Sequence, residues 1–172
     1  FFMKKGEEFE AQMKFKTAIS FYKQAAEKGS LKDAIRVSLI KFFHGKNEEE
    51  KSAAIGFIEK VVENTNDKDA LFYYAYINLH GCEIFEQNKK RAALAFAKAG
   101  KYGHPRGYYL AGCVYQSLAI EFDKKNDKQN ALKNLRRAKK NYSWSYILYH
   151  DMVSCELCRV LVEVIESRKK LL

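Results

Sequence analysis

The side chains best equipped for chemistry here are four cysteines, four histidines and many aromatic rings set among lysines and arginines. Cys155-Glu156-Leu157-Cys158 has C-x-x-C spacing. In a redox site that spacing sits at a helix start after a strand, where the helix N-terminus lowers the thiol pKa. Here the pattern places it inside a helix, with no strand near. As half of a zinc site it lacks a second pair, because Cys82 and Cys113 are 31 residues apart, although His150 could add a third ligand. The reading adopted is buried structural cysteine. Unpaired, reduced thiols favour an intracellular setting. His44 and His80 each precede a glycine at a helix end, where the dipole favours a cation. The sequence contains no Gly-x-Ser-x-Gly, no phosphate-cradling glycine loop and no acidic metal cluster. The expectation is a protein that is not an enzyme and has no cofactor or metal site.

The formal charge is +10, from 31 Lys and Arg against 21 Asp and Glu. Such a field attracts anionic partners. The charge is spread along the chain and is densest over 124–140, with Lys133, Arg136, Arg137, Lys139 and Lys140 on one predicted helix. Rings at Phe72, Tyr73, Tyr74, Tyr76, Tyr108, Tyr109, Tyr115, Tyr142, Trp144, Tyr146 and Tyr149 have two readings. They are packing between helices, or, beside basic residues, a surface that stacks bases.

The elements that hold these groups are helices. Proline occurs once and glycine nine times in 172 residues, which excludes long irregular loops and argues for helices joined by short turns. No apolar run is long enough to span a membrane. Ala18, Ala54, Ala92 and Ala131 start one series, at intervals of 36, 38 and 39 residues. Tyr22, Ile58, Phe96 and Leu135 follow four residues on; Ala25, Val61, Ala99 and Ala138 come next; Gly29, Thr65, Gly103 and Tyr142 close the series. The helix after each repeats too, with Ala34, Ala70 and Gly107 at one position and Leu39, Ala75 and Gly112 five residues later. The chain is therefore a helical repeat. A two-helix unit cannot cover its own apolar faces, so the units stack into a superhelix.

The predicted helices lie near 5–28, 31–44, 48–63, 67–80, 88–102, 105–122, 127–140 and 143–170, the last breaking near His150-Asp151. Ser30 with Asp33, and Asn47 with Glu50, are capping-box patterns. Asn66-Asp67 opens the fourth helix and Asn126 with Gln129 the seventh. Gly103 suits a left-handed helix end and Pro105 the first turn of the next helix. Gly107 and Gly112 let a partner helix approach. The helix carrying Val153, Leu157, Val160, Leu161 and Val164 reads as a cap. One domain covers 1–172, with repeats near 13–50, 51–87, 88–126 and 127–150 and a cap at 151–172. The opening Phe1-Phe2-Met3-Lys4-Lys5-Gly6 reads as an expression scar or the middle of a longer protein.

The segments Phe21 to Gly29 and Ala99 to Gly107, the latter followed by Leu110-Ala111-Gly112, resemble the Sel-one-like repeat, a relative of the tetratricopeptide repeat. The resemblance covers about residues 13–150 and is strongest in the first and third units. The second departs from it at Val61-Val62 and Thr65, the fourth at Tyr142. It implies an all-α, right-handed solenoid of about four two-helix repeats, serving as an adaptor that holds another protein in its groove, in signalling or in bacterial systems delivered into a host. Secreted relatives staple their helix pairs with closely spaced cysteines, a pattern absent here. In such repeats the groove is lined by the helices that here begin at Leu31, Lys68 and Pro105. Their side away from Ala34, Ala70 and Gly107 carries Arg36, Tyr73, Tyr76, Arg106, Tyr109 and Gln116, the candidate contact face. The expected partner is a protein or peptide, acidic in character. The alternative is RNA bound through the helix at 124–140 and neighbouring rings.

Overall fold

A computed structural model describes residues 2–169 and holds nine helices among them: α1 Phe2–Ala11, α2 Phe15–Glu27, α3 Leu31–His44, α4 Glu48–Asn64, α5 Lys68–His80, α6 Lys89–Lys101, α7 Gly107–Lys124, α8 Lys128–Tyr149 and α9 Met152–Lys169. Each packs on the next in chain order, and α3 also touches α5. The chain is an all-α solenoid.

The alanine series forms its spine. Ala18, Ala54, Ala92 and Ala131 are all essentially inaccessible, as are Ile58, Phe96 and Leu135 one turn on. A methyl at each start lets neighbouring helices close up, and the large side chain one turn later fills the space between them. From α5 to α9 these layers merge into one continuous core, with smaller clusters under α1 to α4.

The last position of the series explains where the units differ. Gly29 and Gly103 share a left-handed φ of 92°. After α6 the Gly103 N–H donates to Gly100 O and the His104 N–H to Ala99 O, which closes the helix and turns the chain. Thr65 ends α4 in extended conformation, its hydroxyl donating to Val61 O at 2.7 Å. Tyr142 ends nothing: its ring is buried and α8 runs through it.

That continuity corrects the expected break between 140 and 143. The Asn141 and Ser143 side chains donate back to Arg137 O and Lys139 O four residues earlier, within the continuous helix. The helix stops only at His150, at φ 50°, and Asp151 then starts α9. The break near His150-Asp151 is as expected.

The expected helix over 5–28 is two. Met13 sits at φ 57°, with its N–H on Glu10 O and the Lys14 N–H on Phe9 O. A non-glycine residue there is uncommon. The reversal folds α1 back so that the Phe9 and Phe21 rings stack at 5.4 Å. Two smaller corrections concern caps. Asn126 occupies the left-handed position closing α7, and Asp127 is the residue that accepts the Asn130 N–H and opens α8. Helix α7 starts at Gly107, two residues later than expected, because Pro105 lies in a turn closed by Gly107 N–H to His104 O.

Candidate interaction surface

Helices α3, α5 and α7 alternate with α2, α4, α6 and α8, and the six candidate contact residues lie on this row. Arg36 of α3 is part-buried between two carboxylates of α1: Nη1 is 2.7 Å from Glu7 and Nε 3.2 Å from Glu10. Tyr73 of α5 lies in the same neighbourhood. Burial pushes its phenol pKa up, and the nearby Arg36 charge opposes that shift. Tyr76 turns instead toward α6, edge-on to Phe96 at 5.4 Å and stacked on His80 at 5.7 Å.

At the α6–α7 turn the His104 ring stacks on Phe72, centroids 3.6 Å apart, with Nε2 3.9 Å from Asp69. The Arg106 N–H donates to His104 Nδ1, which leaves the neutral ring's proton on Nε2, toward Asp69. Burial pushes the His104 pKa down, and Asp69 opposes it. Arg106 is the one exposed member of the six. Tyr109 and Gln116 of α7 both meet Tyr142 of α8. The two tyrosine rings are 6.0 Å apart, and the Tyr142 hydroxyl donates to Gln116 Oε1 at 3.0 Å beside the Cys113 sulfur. Burial, reinforced by Cys113, pushes the Tyr142 phenol far up. The structure thus gathers Tyr109 and Gln116 around Tyr142, and sets the Arg36 charge near enough to Tyr73 to act on its phenol. Tyr76 faces a different neighbour.

A second surface goes unnamed in the candidate set. With α8 continuous, Arg137, Lys140, Asn141 and Trp144 fall on one side at helical spacing. With Lys98, Lys101, Tyr108 and Tyr115 they line a cleft of about 420 Å³. Trp144 is 42% exposed, and its ring lies 6.3 Å from that of Tyr108 at 26°. On its other side a cleft of about 550 Å³ reaches α9. The signal was present in the sequence as Arg137-x-x-Lys140-x-x-x-Trp144, hidden by the break expected between 140 and 143.

All four cysteines are free and half-buried, so the expectation of buried cysteines at Cys155 and Cys158 is corrected. Helix α9 covers only one side of the last unit. There the Cys158 thiol donates to Lys139 O at 3.4 Å. The C-x-x-C lies inside α9, as expected. Among the described residues no group of three or more His, Cys, Asp or Glu could hold a metal ion, and no helix is long and apolar enough to cross a membrane.

Fold and surface together define an all-α helical-repeat protein. No family model matches the chain, and neither does any curated protein. Among solved structures it is similar to c5321, described as a protective antigen present in uropathogenic Escherichia coli strains and displaying an SLR fold. The identity is 13% and the TM-score 0.46, over 90% of this chain and 47% of that one. The chain spans about half the length of that structure.

Proposed function

We propose that this chain is a non-enzymatic interaction scaffold that holds a protein or peptide along the row of α3, α5 and α7. The observation that carries this reading is the linkage along the row. The Arg36 charge of α3 acts on Tyr73 of α5, Asp69 lies 3.9 Å from His104 just before α7, and Tyr109 and Gln116 continue to Tyr142. A partner lying across the row meets groups from at least three units, which is how stacked repeats present an extended surface. Tyr and Arg are the side chains that most often anchor interfaces. The charge of +10 draws an acidic partner to it.

The test places a photo-crosslinking residue at position 109 of the full chain in extract of its source cells, then measures affinity for the captured protein. Arg106→Glu, at an exposed position, is expected to weaken that affinity at least tenfold. Unchanged affinity in Arg106→Glu and in Tyr109→Ala overturns the assignment of this face.

A further inference from the structure

We propose that the clefts flanking Trp144 form a second docking site, lined by none of the six candidate contact residues of the α3–α5–α7 row, which takes an acidic peptide segment bearing a large apolar side chain. Four cations, Lys98 and Lys101 of α6 with Arg137 and Lys140 of α8, converge on the first cleft. Among the described residues none of them has a carboxylate within ion-pair distance. Some cations on other surfaces are paired between helices or with a loop, Lys51 with Glu83, Lys89 with Glu121 and Arg168 with Asp123; what marks this site is that four cations line one concavity. Four like charges around one concavity repel one another, and an anion relieves that repulsion.

The floor is apolar and aromatic. Tyr115 and Tyr108 line the cleft with Ala97, and Trp144 forms its wall. The Arg137 guanidinium already lies 5.6 Å from the Tyr115 ring centroid, which fixes its direction. Both cleft volumes fall within the range of about 300–1,000 Å³ typical of ligand-holding sites.

The second cleft decides between an acidic peptide and a nucleic-acid strand. Ile147 and Ile165 line it, aliphatic surface that an apolar side chain covers and a base does not stack upon. Glu166 also lines it, 2.6 Å from Lys169. That ion pair, with Arg136, Lys139 and Lys140 around it, leaves the second cleft positive as well, so its aliphatic lining is what favours a peptide over a nucleic-acid strand. A peptide places its carboxylates discretely, over the cations of the first cleft, with its apolar residue on Trp144 or Ile147.

Trp144 is the chain's one tryptophan, so its fluorescence reports this site alone. The probe is a short synthetic peptide of Asp, Glu, Leu and Phe, titrated into the full chain at low salt. A saturable Trp144 emission change is expected, at least tenfold weaker for the same peptide with Asn and Gln in place of Asp and Glu. Lys101→Glu with Lys140→Glu is expected to weaken it at least tenfold with the helical circular dichroism unchanged, and Lys98→Glu serves as a second variant at an exposed position. Arg106→Glu is expected to bind the peptide like the parent, which separates this site from the α3–α5–α7 row. The proposal is overturned by no saturable change up to about 1 mM peptide. It is overturned equally if the amide peptide binds as well, if both charge-reversed proteins bind like the parent, or if oligouridylate binds more tightly than the acidic peptide.

Discussion

Gly112 of α7 lies directly beneath the ring of Tyr142 of α8: a Cβ added to Gly112 would sit 2.5 Å from Tyr142 Cε1. The two helices can meet at this distance only because one residue has no side chain there. The ring in turn occupies the place where units one and three carry a helix-ending glycine. Loss of that glycine lets α8 continue to Tyr149, and Gly112 makes room for what replaced it.

Gly112→Ala should therefore destabilise the protein by about 1–3 kcal/mol, because the ring it meets is buried and cannot yield without moving a helix. Gly56, inside α4, is the internal control. Nothing lies within 4 Å of a Cβ built there, so Gly56→Ala should raise stability by about 0.5–1 kcal/mol. Urea unfolding of both variants checks the pair, and destabilisation of equal size in the two would contradict the packing argument.

His104 should make the α5–α6–α7 junction sensitive to mild acid. Its pKa lies below the ordinary value of 6.5, through burial against Phe72, with Lys68 and Arg106 adding to the shift and Asp69 opposing it. Below pH 6.5 the unfolded chain takes up the proton more readily than the folded one, so stability falls as pH drops from 6.5 through the lower folded-state pKa. Urea midpoints at pH 7.5 and pH 5.5 should differ less in His104→Asn than in the parent. An identical pH dependence in both proteins would remove His104 as the cause.

Asp151 should control the hinge between α8 and α9. Burial works against its carboxylate, but hydrogen bonds from Ser154, the Val153 N–H and Ser145 outweigh it and hold the pKa below the usual value. Asp151→Ala removes the N-cap of α9 and leaves two buried hydroxyls without their acceptor, at a cost of about 1–2 kcal/mol. The expected readout is faster amide exchange over α9 than over α6. Exchange rising equally in both helices would show that the loss is global.

Much of this architecture was legible because it is local. The Ser30, Asn47 and Asp67 caps and the left-handed Gly103 are fixed by residues within about a turn of one another, and the alanine series is the same local spacing repeated every 36 to 39 residues. The two larger failures, at Met13 and over 141–143, share a cause. Met13 adopts a backbone form usual for glycine because Phe9 gains Phe21, and Asn141 and Ser143 stay helical because Tyr142 is held by Gly112. Each depends on a residue distant in the chain. The ties of Arg36 to α1 and of Gln116 to Tyr142 were not legible, because each joins residues far apart in the chain.

The sequence by itself determined that this protein is a stack of helix pairs, since side-chain spacing and capping act within a helix and repeat with it. Only the tertiary structure decided where helices α1 and α8 end, which aromatic rings are core, and that Trp144 stands among cations from two helices. Those outcomes turn on whether a particular neighbour arrives to bury a ring or accept a proton, and that is set between helices.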